Sequence, residues 1–91
     1  MNKGLWIKVN GLVQGVGFRY FMLQRALQLG LTGFVRNLPD GSVEAEAEGR
    51  ESSLLALLDD VKRGPLGAEV DELEQEWKDY TGSYRGFNIT R

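Results

Sequence analysis

The sequence predicts an α+β fold in the order β-α-β-β-α-β, with two helices on one face of an antiparallel sheet and a short extra strand at the C-terminal edge. Three observations carry this expectation. Leu5, Ile7 and Val9 alternate with Trp6, Lys8 and Asn10. Val43, Ala45 and Ala47 alternate in the same way with Glu44, Glu46 and Glu48. Apolar residues also recur at helical spacing in two separate segments, Leu23 to Gly30 and Leu54 to Val61. A chain of 91 residues has room for one core of this size, so one domain is expected over residues 1–91.

Taken in order, the first strand covers Leu5 to Asn10 and ends near Gly11. A glycine-rich stretch leads to a helix from about Arg19, where Leu23, Ala26, Leu27 and Gly30 fall at i, i+3, i+4 and i+7, with Gly30 as the C-terminal glycine. Leu31 to Leu38 then meets the turn Leu38-Pro39-Asp40-Gly41-Ser42. Proline presets φ there and glycine accepts a positive φ, so the flanking strands form a hairpin. Strict alternation puts Val43, Ala45 and Ala47 inside and Glu44, Glu46 and Glu48 on a solvated face. The second helix carries Leu54, Leu57, Leu58 and Val61, places Lys62 and Arg63 at the negative end of its dipole, and stops at Gly64 before Pro65. Ala68 and Val70 share one parity and Leu73, Gln75 and Trp77 the other, so a strand here needs an extra residue, a bulge at Asp71-Glu72. Phe87 and Ile89 flank Asn88 in the short terminal strand. This order is the ferredoxin-like split βαβ arrangement, which hosts enzymes, RNA binders and sensors alike. Function therefore has to be read from a site.

Composition removes most chemistries. With no Cys there is no thiolate nucleophile, disulfide or thiolate metal site, and with no His the commonest general base and metal ligand is missing. A net charge of -2 argues against a basic nucleic-acid binder. No apolar run reaches membrane-spanning length, and the alternating segment after Gly4 is too short for a signal-peptide core. The expectation is a cytoplasmic protein, monomeric, with no membrane or nucleic-acid partner.

The most unusual segment is Gly11-Leu12-Val13-Gln14-Gly15-Val16-Gly17-Phe18-Arg19. Glycines at i and i+2 let successive N–H groups curl around a small anion, the helix that follows adds unpaired donors and a positive dipole end, and Arg19 can grip phosphate oxygens bidentately. A tight strand-to-helix turn with Arg19 as a surface cation explains the same residues about as well. No Gly-Lys-Ser/Thr follows, so the segment is not a nucleotide P-loop, and Val13 stands where a phosphatase loop would need its cysteine.

V-N-G-L-V-Q-G-V-G-F-R resembles the first signature of the acylphosphatase family, and G-F-V-R-N-L-P-D-G-S-V-E-A-E-A-E-G, Gly33 to Gly49, resembles the second. The resemblance continues through Gly64-Pro65 and Phe87-Asn88-Ile89. It implies that Gln14, Gly15, Val16, Gly17 and Phe18 form a phosphate cradle, that Arg19 binds the phosphoryl oxygens and that Asn37 positions the attacking water. The substrate would be a small-molecule acyl phosphate, with inorganic phosphate as product or inhibitor and with no cofactor and no metal. Many relatives carry a basic residue where this chain has Leu12, which puts anion steering in question.

Such chemistry suits a chain without His or Cys. The leaving group of an acyl phosphate is a carboxylate of pKa about 4, which departs without a proton. Catalysis then reduces to holding the phosphoryl group and placing one water in line. Asn37 is not basic, but its carbonyl accepts from a water and its NH2 donates.

Plainer roles stand beside these. Gln14 satisfies backbone groups, Phe18 plugs the core, and Arg36, of opposite parity to Asn37, is a solvated cation near carboxylates. Trp6, Trp77, Met22 and Leu29 are packing residues, and Glu72, Glu74 and Glu76 with the glutamates of the hairpin form polar faces rather than a metal site. An RNA-recognition module shares the element order, but the strand Ser42 to Glu48 lacks basic and aromatic residues and its glutamates would repel phosphates. The nearer alternative is a noncatalytic phosphate or metabolite-binding module of the same fold, including the acylphosphatase-like domain of hydrogenase-maturation proteins.

Overall fold

The computed structural model describes residues 1–91. Its elements are β1 (Asn2–Leu12), α1 (Phe18–Gln28), β2 (Thr32–Asn37), β3 (Val43–Arg50), α2 (Glu51–Arg63), β4 (Glu69–Lys78) and β5 (Phe87–Thr90). The sheet order is β4-β1-β3-β2-β5. The first four of these strands run antiparallel, as the hairpin and the alternating patterns imply. β5 joins parallel to β2, with Phe87 opposite Gly33 and Ile89 opposite Val35, so the full sheet is mixed. A parallel partner needs a long crossover, and the chain from β2 back to β5 supplies one through β3, α2 and β4.

Alternation decides the faces. Leu5, Ile7, Val9, Val35, Val43, Ala45 and Ala47 are buried beneath the helices. α2 contributes Leu54, Leu57, Leu58 and Val61, the four residues its periodicity selects. Truncating one fully buried leucine of this cluster to alanine costs about 2–5 kcal/mol, a large share of the stability of a domain this small. In α1 the buried row is Phe18, Met22 and Ala26, and Leu27 is 55% exposed. Spacing centred on Leu23 therefore misplaces the stripe by a fraction of a turn. Phe18, tied to the loop before the helix, sets its rotation.

β1 begins three residues earlier than hydrophobicity suggests, because Asn2 to Gly4 pair with Glu48 to Arg50 and main-chain hydrogen bonds extend the strand past its apolar part. The bulge is where parity requires it. Asn10 faces Glu72 and Gly11 faces Val70, leaving Asp71 without a partner across the ladder.

The face opposite the helices departs from a uniformly solvated one. Trp6 lies there rather than in the core, and its Nε1–H donates to Glu44 over 2.8 Å. Arg36 also holds Glu44, with Nε 2.7 Å from Oε1. Glu48 is 5% exposed and accepts from the Thr81 hydroxyl at 2.7 Å, the Thr81 N–H at 3.0 Å and the Gly82 N–H at 3.0 Å. Burial pushes its carboxyl up, and the hydrogen bonds from Thr81 and Gly82 outweigh burial, leaving it below the ordinary value. The loop between β4 and β5 folds back over the sheet, which is why one of the three glutamates is covered.

Candidate active site

The loop between β1 and α1 owes its shape to two glycines. Gly15 has φ 77° and Gly17 φ 76°, in the left-handed region that costs a residue with a Cβ roughly 1–2 kcal/mol. A Cβ built at either would meet no atom within 4 Å, so backbone conformation alone requires glycine there and the space beside the main chain is open. Gly17 is also the N-cap of α1. The helix starts with no side-chain cap and no acidic residue in its first turn, so its first N–H groups are not satisfied by a capping side chain.

These donors border a cavity of about 210 Å³ lined by Val13, Gly15, Gly17, Phe18, Arg19, Tyr20, Asn37 and Ile89. Its size suits a small ligand rather than a cofactor. A larger hollow of about 630 Å³ near Met1 and Glu51 lies between the N-terminus and the start of α2, and neither Arg19 nor Asn37 lines it.

Arg19 is half-buried at the cavity wall and pairs with no carboxylate, whereas Arg25 and Arg63 bind Asp60 and Arg36 binds Glu44. It is the only charged residue lining the cavity. Asn37 arrives from the end of β2 and shares the parity of Val35, which turns it to the helix side. Its Oδ1 is the one buried side-chain polar atom in the chain without a hydrogen-bond partner. Orphans of this kind are rare enough in folded proteins to demand a reason.

Gln14 does not line the cavity. Its Nε2 donates to the carbonyls of Leu38 and Ser42, each at 2.9 Å, and so pins the loop to the β2–β3 turn. That turn is itself held from inside. The Ser42 hydroxyl and N–H both donate to Asp40, and Lys8 pairs with Asp40 at 3.2 Å. Hydrogen bonds from the Ser42 hydroxyl and N–H, followed by Lys8, bring the Asp40 carboxyl down to about 2. Val16 packs against the core, and Phe18 is 1% exposed, a core plug whose edge reaches the cavity.

The structure thus brings Gly15, Gly17, Phe18, Arg19 and Asn37 to one cavity and leaves the Gln14 and Val16 side chains outside its lining. Sequence reasoning missed Tyr20, Ile89 and Val13. Ile89 was findable from its alternation with Phe87, but only once β5 was known to lie beside β2.

Residues 5–89 match the acylphosphatase family model. An acylphosphatase from Caldanaerobacter subterraneus subsp. tengcongensis is 46% identical over 89 residues, covering 98% of this chain and 99% of the relative. The crystal structure of acylphosphatase from Bacillus subtilis superposes with a TM-score of 0.94 at 36% identity, covering 100% of both chains. Full-length HypF in its phosphate- and nucleotide-bound form contains a similar fold, with a TM-score of 0.88 and 28% identity over 100% of this chain and 12% of HypF. Both signature segments fall within the matched region, and so do the glycine loop, Arg19 and Asn37. With sequence and fold agreeing over nearly the whole length, the chain belongs to the acylphosphatase family.

Proposed function

We propose that this acylphosphatase hydrolyses small acyl phosphates to a carboxylate and inorganic phosphate at the Gly15–Asn37 cavity, without a metal or cofactor. The observation that carries this reading is the orphaned Oδ1 of Asn37 in the cavity that also holds the unpaired Arg19.

The phosphoryl group is held by the Arg19 guanidinium and by main-chain N–H groups of the loop from Gln14 to Phe18. These donors are set in advance by the glycine conformations and the helix start, so little reorganisation is needed as charge spreads over the phosphoryl oxygens. Asn37 offers its oxygen to a water and fixes that water on the side opposite the acyl leaving group. The bond from water oxygen to phosphorus forms as the phosphorus to carboxylate-oxygen bond breaks. The electron pair leaves with a carboxylate of pKa about 4, so no general acid is required, and the proton of the attacking water passes to the phosphate itself or to bulk water. Gln14 acts on the reaction through position, keeping the loop and the Asn37 strand in register.

A noncatalytic phosphate-binding module is the second reading, favoured by the likeness to a segment of HypF. The two separate in one assay: acetyl phosphate hydrolysis with and without chelator, beside inorganic phosphate binding by calorimetry. Chelator-resistant turnover with competitive inhibition by phosphate supports hydrolysis, and phosphate binding without turnover supports the module. The proposal also has a monomeric, cytoplasmic enzyme, checked by light scattering and cell fractionation.

A further inference from the structure

The Oδ1 of Asn37 accepts no hydrogen bond within the protein, so its direction follows from the main chain on either side. Before it, β2 is paired with β3 as far as Asn37 itself, opposite Val43. After it the ladder stops and Leu38 to Ser42 close the hairpin. Closure rests on Ser42, a fully buried residue whose carbonyl takes the N–H of Leu38 at 2.9 Å. Leu38 is the residue next to Asn37, so the place of Ser42 decides where the end of β2 can point.

Ser42 is in turn held by Asp40. Its N–H donates to Oδ1 of Asp40 at 3.0 Å, and its hydroxyl donates to the same oxygen. The other carboxylate oxygen meets Nζ of Lys8, which reaches out from β1, at 3.2 Å. One carboxylate is thus turned inward on the turn and outward on the neighbouring strand. None of Asp40, Ser42 and Lys8 lines the cavity. A carboxylate also has the wrong sign of charge for an anion site, so contact with the phosphoryl group is not its task.

We propose that Asp40 is a positioning residue for hydrolysis: acting through Ser42, its carboxylate sets the direction of Asn37 and with it the line of the attacking water. The inference deepens the hydrolytic reading and rests on it. Alanine at this position leaves the buried Ser42 hydroxyl and N–H without their acceptor, and the turn shifts to satisfy them. Asparagine keeps an acceptor oxygen at the same reach and loses only the ion pair with Lys8, a pair between partly exposed groups that contributes little. Glutamate keeps the charge and moves the acceptor one methylene away.

The test is kcat for acetyl phosphate and the inhibition constant of inorganic phosphate in the parent chain and in Asp40→Ala, Asp40→Glu and Asp40→Asn, at a temperature where circular dichroism shows each folded. Asp40→Ala and Asp40→Glu are each expected to lower kcat by roughly tenfold, the scale of a small misplacement of a reacting group. Phosphate inhibition should stay within about threefold, because Arg19 and the glycine loop are untouched. Asp40→Asn should keep kcat within about threefold of the parent. In an Asn37→Ala background, Asp40→Ala should cost no more than about twofold further, since the residue through which it acts is gone. Unchanged kcat in Asp40→Ala and Asp40→Glu, a loss in Asp40→Asn as large as theirs, or full additivity with Asn37→Ala overturns the positioning role while leaving hydrolysis intact. A matching rise in the phosphate inhibition constant also overturns it, by placing Asp40 behind the cradle instead of behind Asn37. Absence of turnover in the parent chain overturns the hydrolytic reading instead.

Discussion

Nε2 of Gln14 donates to the main-chain carbonyl of Leu38 across 2.9 Å, tying the glycine loop to the residue that follows Asn37. The same amide reaches the carbonyl of Ser42, and because the Leu38 carbonyl also accepts from the Gly41 N–H and the Ser42 carbonyl from the Leu38 N–H, its loss removes the second of two hydrogen bonds at each. Gln14→Ala is expected to cost about 1–3 kcal/mol in denaturant unfolding. It should also lower kcat by roughly tenfold to a hundredfold as loop and strand drift apart. Loss of stability with unchanged kcat would show that the link is structural only.

Arg19→Ala should separate function from folding. The guanidinium pairs with no carboxylate, so the melting temperature should move little. Turnover should fall by about 10³-fold or more, the scale of an arginine that meets phosphoryl charge in the transition state. Activity within tenfold of the parent chain would refute its role.

For Asn37→Ala, kcat is expected to drop by roughly 10²- to 10³-fold while phosphate inhibition is retained. Removing an acceptor that makes no hydrogen bond within the protein should leave stability unchanged or slightly raised, in contrast to Gln14→Ala. An equal loss of phosphate affinity would place Asn37 on the phosphoryl group rather than on the water.

Acid should loosen the fold through carboxylates whose ionised forms the native state favours. The Asp60 carboxyl is lowered first by its hydrogen bond from Arg25, against burial, and then by Arg63. Glu48 is lowered by Thr81 and Gly82 in spite of burial, and Asp40 is brought to about 2. Each is depressed in the folded state, so its contribution is complete above the unfolded value of about 4 and fades as pH falls through the folded value. Glu48→Gln isolates one of them. The variant should be less stable by about 1–2 kcal/mol near neutral pH, and the gap should close as the medium is acidified. A gap independent of pH in thermal melts would show that the charge on Glu48 is irrelevant.

Much of the fold was legible because local signals agreed with the global arrangement. Leu54, Leu57, Leu58 and Val61 mark a helix face, the turn at Leu38 to Ser42 marks a hairpin, and the parity change around Asp71 marks a bulge. The two signatures single out the glycine loop, Arg19 and Asn37 in the sequence alone. Two things were not legible. Rotation of α1 depends on Phe18 plugging the core from the loop, a tertiary constraint that Leu23, Ala26 and Leu27 do not encode. Burial of Glu48 depends on a loop more than thirty residues away, since its partners are Thr81 and Gly82. Alternation reports which face a side chain takes and is silent about what later covers that face.

β5 lies along the outer margin of β2, giving the strand that ends in Asn37 a neighbour on each side. Without it, β2 would be a terminal strand whose free amides and carbonyls could recruit another chain into a growing sheet. The four residues Phe87 to Thr90 therefore act as a guard against self-association as well as a wall of the cavity, and a change that frays them would threaten solubility together with catalysis.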